Sequence, residues 1–534
     1  MTERRLNGRP ASPGLAAGPV FFVAKPEASS SRPVEVDGEA ALRRAIDASL
    51  IDLNALVATL EGESADILGF QIAMLEDEAL SAGAFDAISA GVPADHAWRS
   101  ALDAEIFDYE KSEDAYFRAR SADLIDIRDR VLAHLMGTAE GMKVPPGSVL
   151  MADDLPPSLF LSSDWSRGGA IALSGGSPSS HVAMLARSKS VPMVTGLGAV
   201  GAAAHAIVDG MSGQVTLDPA EESLATLRMG LAAAHETKAR EDALMFKPAF
   251  LADGTHVDIL VNVARPADLE GLDPAACDGI GLVRTEFLFQ PGRPLPDEEE
   301  QLAAYVAIAA WAQGRPVTIR TMDIGGDKKV EGLTPEGETN PFLGLRGLRL
   351  SLARPEAFRT QLRSLARASL DYDIRVMLPM VTVPSELAEA AKMLDEEVAA
   401  LVRAGTLCRR PPLGIMIEVP AAALGATRFD ADFYSIGSND LTQYTMAAAR
   451  DISAVAELNN TADPAVLELM ARTVEAGRLR HVPVSICGDA AADVNLVPQL
   501  LGIGLTRLSV APPAIGRVKA AVAGLAACGA HAHV

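Results

Sequence analysis

Between Val257 and Val510, eight short runs of strand-forming residues alternate with amphipathic helical patterns, and this alternation leaves few ways for the chain to fold. The runs are Val257–Val263, Gly279–Glu286, Val317–Asp323, Ile374–Pro379, Leu413–Glu418, Phe433–Gly437, Val484–Cys487 and Leu508–Val510. Between them lie apolar residues at helical spacing, as in Glu298–Trp311, Glu356–Ser369, Ser385–Ala404 and Asp463–Gly477. Strand then helix, repeated eight times, predicts a (β/α)8 barrel.

The upstream sequence follows a different pattern. Gly18–Ala24 reads as one strand, and residues 37–136 are then helical in pattern, as in Ala40–Leu60 and Trp98–Leu135, enough for four or so helices. Strand-like runs return at Ser148–Met151, Ala170–Leu173, Met193–Thr195, Ala206–Val208 and Gln214–Leu217, separated by Gly and Pro. The first strand joins these runs in a compact α/β unit, which makes the helical block an insertion. The Ala- and Glu-rich stretch Pro219–Met245 reads as a helical linker. A chain of 534 residues is too long for one core. The expectation is a multidomain α/β protein with an α/β domain at 1–36 and 140–220, a helical insert at 37–139, a linker at 221–248 and the barrel at 249–534.

The formal charge of -23 disfavours nucleic acid and anionic membrane as partners, although local arginines can still hold an anionic substrate. No apolar run is long enough to span a membrane. The polar, basic segment Met1–Pro10 lacks the apolar core of an export signal. Cys277, Cys408, Cys487 and Cys528 are far apart, with neither metal spacing nor a disulfide framework, which fits a reducing cytoplasm. Residues 61–130 hold 17 acidic and 6 basic side chains, which fits either a solvated helical surface or a face for a basic partner.

Barrels of this kind place their active sites at the C-terminal ends of the strands. Here those ends carry chemistry. Arg284 lies late in the second run, Arg320 late in the third, Glu418 ends the fifth, Asn439 and Asp440 follow the sixth, and Cys487 ends the seventh. A single arginine there is commonly only an ion pair, but five strand ends presenting reactive groups to one mouth point to a site. Two arginines grip a phosphate with forked hydrogen bonds. The carboxylates Glu418 and Asp440 suit a hard cation such as Mg2+. Cys487 is either an inert buried thiol or an acid or base.

A second candidate site is the segment SGGSPSSHVAMLAR, Ser174–Arg187. A strand ends at Leu173, a Gly/Ser/Pro turn follows, and His181 opens an amphipathic helix. Helix N-terminal amides favour an anion, Ser179 and Ser180 add hydroxyls, and imidazole is a nucleophile that forms a phosphoramidate. Taken alone, such a histidine is more often structural and such a turn more often a cap.

Together these segments resemble Enzyme I of the bacterial phosphoenolpyruvate:sugar phosphotransferase system. The resemblance runs from ASPGLAAGP near the N-terminus through MLEDEAL, SSHVAMLAR, GIGLVRTEFLF, RTMDIGGDK, NPFLGLRGLR, IMIEVPAAA and SIGSNDLTQYT to ICGDAA. It implies a swivelling phosphohistidine α/β domain, an inserted helical domain that binds the histidine carrier HPr, and a dimerising (β/α)8 barrel that binds phosphoenolpyruvate. It further implies that His181 accepts the phosphoryl group, that Arg284 and Arg320 bind the substrate phosphate, and that Glu418 and Asp440 hold Mg2+. Asn439 contacts the phosphate, Arg450 assists binding, and Cys487 protonates the departing enolate to give pyruvate. Arg346, Arg349 and Lys328 line the mouth. Three departures mark a divergent branch: the loop has Ser177 and Ser179 where a second glycine and a threonine are usual, Asp489 replaces a glutamate, and Ala449 replaces an aspartate. None removes a needed chemical group. The carrier stays open between the sugar, nitrogen and dihydroxyacetone-kinase types. Nucleotide-dependent dikinases share the histidine and barrel domains, but the stretch before the histidine loop is too short for their nucleotide-grasp domain and has no Gly-rich phosphate loop. A silent binding protein would not need so full a set of acid, arginines and carboxylates.

Overall fold

The first strands of the chain are edge strands in sequence that shows no strand pattern. In the computed structural model, which describes residues 3–23, 37–58, 63–111, 115–137, 144–178, 180–289, 292–326, 328–450 and 452–527, β1 (Arg4–Asn7) and β2 (Arg9–Ser12) form the two borders of an eight-stranded sheet. Pro10, which lacks an N–H, is tolerated in β2 because that strand has a partner on one side only. The inner strands are β3 (Leu15–Phe22), β4 (Val149–Ala152), β5 (Ala170–Leu173), β6 (Met193–Thr195), β7 (His205–Asp209) and β8 (Gln214–Leu217), in the order β1-β8-β7-β3-β4-β5-β6-β2.

Five helices separate β3 from β4: α1 (Gly38–Val57), α2 (Glu63–Glu76), α3 (Glu78–Ser89), α4 (Ala94–Lys111) and α5 (Ala115–Met136). The extra helix over the four or so expected arises at Asp77. Its backbone is extended and its carboxylate accepts from the Ala79 N–H, so MLEDEAL is broken into the end of α2 and a capped start of α3. The strands on either side of this excursion pair directly in parallel, Val20 with Val149 and Phe22 with Met151. The insert is not separately cored. Leu42, Leu53, Trp98, Leu102 and Leu124 belong to one buried cluster with Phe160, Ile171 and Val182 of the α/β layer. Each such side chain contributes about 1.5–3 kcal/mol through burial. The short helices α6 (Pro157–Ser162) and α7 (His181–Ser188) lie on that side of the sheet.

The chain divides into two compact units, Met1–His235 and Glu236–Val534, with the division inside the long and mostly exposed α8 (Glu221–Leu244). In the second unit β9 (Ala249–Phe250) pairs antiparallel with β10 (His256–Val263). β10 then starts a ring of parallel strands: β11 (Ile280–Arg284), β12 (Val317–Arg320), β13 (Ile374–Leu378), β14 (Leu413–Ile417), β15 (Tyr434–Gly437), β16 (Val484–Cys487) and β17 (Arg507–Val510), which returns to β10. The eight strands therefore close, and the expected (β/α)8 barrel is the fold of this unit. Helices between the strands include Glu298–Trp311, Pro355–Ala368, Pro384–Arg403 and Pro464–Arg480. Leu282, Met377, Met416, Phe433 and Cys487 form a separate buried cluster.

Candidate active site

The strand ends of the barrel collect most of the groups picked out in the sequence. Arg284 is the last residue of β11 and stands in register with Arg320, the last of β12. Cys487 is the last residue of β16, in register with Gly437. Glu418 directly follows β14, and Asn439 and Asp440 lie in the first turn of helix Ser438–Met446, which directly follows β15. Parallel pairing in one closed sheet thus brings these residues to one rim.

Arg346 joins the acidic side of this rim. Its guanidinium spans two carboxylates, with Nη2 3.0 Å from Asp323 Oδ2 and 3.0 Å from Asp440 Oδ2. Arg320 is equally constrained, with Nη2 3.0 Å from Glu286 Oε1 and Nη1 3.2 Å from Asp323 Oδ2. Burial alone would raise the Asp323 pKa, but the two guanidiniums outweigh it and hold the carboxyl well below the usual range. Glu418 goes the other way. Burial, reinforced by the Asp440 and Asp323 carboxylates, pushes its pKa up to about 8 against the pull of Arg320 and Arg346. Its Oε1 accepts a 2.6 Å hydrogen bond from the Met380 N–H. Met380 sits at φ 57°, a strained conformation for a non-glycine residue, and this strain accompanies its place beside the site. Arg320 Nε is buried without a hydrogen-bond partner among the described residues.

Cys487 is buried and its thiol is pushed up to about 11, first by burial, with Arg320 opposing. Its Sγ–H donates to the Ile436 carbonyl at 3.5 Å, and Ser435 Oγ lies 3.9 Å from the sulfur. Gly488 follows at φ +94°, and a Cβ there would lie 2.7 Å from Asn439 Oδ1 and against Ser438 Oγ. Gly437 serves the neighbouring strand in the same way, since a Cβ would sit 2.7 Å from Glu418 Oε2. The two glycines let the ends of β15 and β16 approach the reactive side chains.

The remaining expected residues fall at the edge. Arg450 is exposed on the segment after helix Ser438–Met446. Lys328 Nζ lies 3.8 Å from Glu286 Oε2, and Arg349 Nη2 donates to Thr382 Oγ1 at 2.9 Å. Glu286 and Asp323 were not singled out in the sequence, although both lie in segments that carry the resemblance. Their importance arises from pairings that link separate segments, Glu286 with Arg320 and Asp323 with Arg346, beside the local pair of Asp323 with Arg320. A second acidic group, His256, Asp258 and Asp278, lies at the opposite ends of the strands. Its carboxylates already have structural duties. Asp258 meets Arg507 Nε at 3.0 Å, and Asp278 accepts from the Ile259 N–H at 2.8 Å.

In the other unit His181 opens α7, as its sequence predicts. Ser180 is the N-cap, its hydroxyl oxygen accepting from the Ala183 N–H at 3.2 Å, so its first duty is to the helix. Ser179 lies outside the described residues. The His181 ring is mostly buried, and its Nδ1 faces Asp123 Oδ2 of α5 at 3.7 Å.

Comparison with known proteins agrees with this architecture. The family described as PEP-utilising enzyme, PEP-binding domain, matches residues 238–527. The N-terminal domain of the PEP-utilising enzymes matches residues 7–120, and their mobile domain matches residues 144–221. The phosphoenolpyruvate-protein phosphotransferase of Latilactobacillus sakei is 34% identical over 533 residues, covering 96% of this chain and 93% of its own. Its namesake from Geobacillus stearothermophilus is 35% identical, covering 98% and 94%. That of Listeria monocytogenes is 35% identical, covering 96% and 92%. The chain belongs to the family of phosphoenolpyruvate-utilising enzymes, among relatives that are phosphoenolpyruvate-protein phosphotransferases along nearly their whole length.

Proposed function

We propose that the chain is a phosphoenolpyruvate-protein phosphotransferase, which passes the phosphoryl group of phosphoenolpyruvate to His181 and then to a histidine of an HPr-type carrier. The observation that carries this reading is the rim of the barrel, where two arginines in register, a group of carboxylates and a buried protonated thiol meet.

Arg284 and Arg320 receive the phosphate, with Arg320 held in place by Glu286 and Asp323 so that little ordering remains when substrate binds. Asn439 orients the same group, and Arg450 adds a positive charge from the edge. The donor set fits a hard divalent cation. Glu418 and Asp440 are oxygen ligands, and Glu418, buried and beside other carboxylates, resists ionisation unless another positive charge arrives. Mg2+ held by Glu418 and Asp440 would neutralise charge on the transferring group. The His181 Nε2 lone pair attacks phosphorus and the bond from phosphorus to the enol oxygen breaks. Cys487 gives its Sγ proton to the carbon end of the enolate, which becomes pyruvate. A carrier histidine then displaces the phosphoryl group from Nε2.

His181 and the rim belong to different units joined through α8, so the unit carrying His181 must meet the barrel in one step and the carrier in the next. The acidic insert supplies a face for a basic carrier. Assembly as a homodimer through the barrel, and action in the cytoplasm, complete the reading. Among the described residues no helix is long and apolar enough to cross a membrane. Incubation with 32P-phosphoenolpyruvate, with and without candidate carriers, tests it. Label that is stable to base and lost in acid should appear on the protein and move to a carrier, and a folded protein that takes none would refute the proposal.

A further inference from the structure

The insert reaches the histidine. Asp123, on α5, is wholly buried, and its Oδ2 stands 3.7 Å from His181 Nδ1. That nitrogen is itself buried, with no hydrogen-bond partner among the described residues. The carboxylate is fixed from two sides. Gln71 Nε2 of α2 donates to Oδ1 at 3.2 Å, and Arg120 Nη1 lies 3.1 Å from Oδ2. Gln71 also donates to Asp126 Oδ2 at 3.2 Å, and Asp126 takes the N–H and the hydroxyl of Ser158 at 3.1 and 2.7 Å. Asp123 and Asp126 are one turn apart on the same face of α5. One buried polar chain therefore runs from α2 and α5 to α6 and ends against the histidine of α7.

Neutral imidazole carries its single proton on one nitrogen and offers the lone pair of the other. A carboxylate beside Nδ1 favours the proton there. The 3.7 Å separation is about 1 Å longer than a charge-assisted N–H···O bond, and an electrostatic preference does not need that contact. Arg120 shares the same oxygen and cancels part of its charge, so the pair faces the ring as a hydrogen-bond acceptor more than as a full negative charge.

From this geometry we infer that Asp123 is a positioning residue for His181: it holds the ring proton on Nδ1 and so makes Nε2 the nitrogen that carries phosphate. This rests on the reading of His181 as phosphoacceptor. When Nε2 bonds to phosphorus and the bond to the enol oxygen breaks, the ring becomes a phosphoimidazolium that keeps its Nδ1–H, and its positive charge lies against Asp123. In the next transfer the Nε2–phosphorus bond breaks, its electron pair returns to Nε2, and the proton stays on Nδ1. The ring gains and loses no proton in either step. The carrier-binding insert thereby sets the chemical state of the histidine that its partner will receive from.

The test uses the full chain labelled with 15N-histidine, with His181 resonances assigned by comparison with His181→Ala. Wild-type His181, in its neutral form, should show the Nδ1–H tautomer. Asp123→Asn should shift the population toward Nε2–H and slow phosphoryl uptake by ~10²-fold or more, as expected when a histidine loses the partner that fixes its tautomer, with phosphoenolpyruvate binding unchanged. An Nε2–H tautomer in the wild type would overturn the inference whether or not the variant folds. So would a folded Asp123→Asn that keeps both the Nδ1–H tautomer and the wild-type rate. Failure of the phosphoacceptor reading would show differently, as absence of label in wild type with the tautomer result intact.

Discussion

Asn439 and Asp489 grip each other twice across the rim: Asn439 Nδ2 donates to Asp489 Oδ2 at 3.0 Å, and the Asp489 N–H donates to Asn439 Oδ1 at 2.9 Å. Asp489 is therefore a brace that fixes which way the amide points. Asp489→Ala should free that amide and raise KM for phosphoenolpyruvate by ~10-fold, the effect of about one charge-assisted hydrogen bond, with a smaller change in kcat. Steady-state pyruvate release measures both, and an unchanged KM would show that Asn439 needs no brace.

Arg346 lies between Asp323 and Asp440 as an internal counter-ion. Arg346→Met keeps the length but removes the charge and leaves both carboxylates crowded in a buried place. The expected loss is about 3–5 kcal/mol, the usual cost of breaking a buried pair by removing one partner. Urea denaturation of the full chain should show the barrel transition at lower urea. A transition in the same place would mean that water or a neighbouring lysine already solvates the pair.

The thiol of Cys487 must hold its proton to act as an acid, and its position at about 11 keeps it protonated across the neutral range. A raised value places the loss of this form above pH ~10, so kcat for pyruvate formation should show no alkaline limb from this group near 8.5, where a free thiol titrates. Cys487→Ala should lower kcat by ~10²–10⁴-fold, the usual range for losing a positioned proton donor, while KM stays close to wild type. A pH profile with a limb near 8.5 that disappears in the variant would contradict the placement.

Removal of divalent cations should stop turnover, because Glu418 and Asp440 would then hold no cation to neutralise the charge on the transferring group. Activity after chelation and after Mg2+ addition can be followed by pyruvate release. Persistent turnover in chelator would remove the cation from the reading.

His181→Ala should abolish acid-labile label while leaving phosphoenolpyruvate binding intact, because the groups proposed to bind substrate lie in the other unit. Calorimetric titration of the variant with Mg2+ present should match wild type. Retained label would place the phosphoacceptor elsewhere.

The barrel strands were readable because their apolar runs are bounded by turn residues, and each of the eight runs overlaps an observed strand. The edges moved by at most three residues. Gly279–Glu286 contracts to Ile280–Arg284, since Thr285 and Glu286 turn away into the loop. β1 and β2 were not legible, because edge strands pair through their backbone and Arg4, Arg5, Arg9 and Pro10 show no alternating burial pattern. Within the rim, chemistry at strand ends was visible one residue at a time. The pairing that binds it together was not: Arg346 meets Asp440 ninety-four positions away, and no local spacing encodes such a meeting. Asp123 was hidden for the same reason, since in sequence it is one of three aspartates in a helix that also carries four arginines.

The helical block leaves the sheet after β3 and re-enters at β4, and those two strands are hydrogen-bonded neighbours. The exit at Phe22 lies two residues beyond the register partner of the return at Val149, so its two attachment points are roughly 8 Å apart. A segment joined through so narrow a doorway can be exchanged by recombination for another of different length without tearing the sheet, and a lineage could change its carrier in that way. The shared apolar layer and the contact from Asp123 to His181 restrict the exchange. A transplanted block must bring its own carboxylate to the same spot, or the host would inherit a docking surface attached to a histidine that no longer hands anything over.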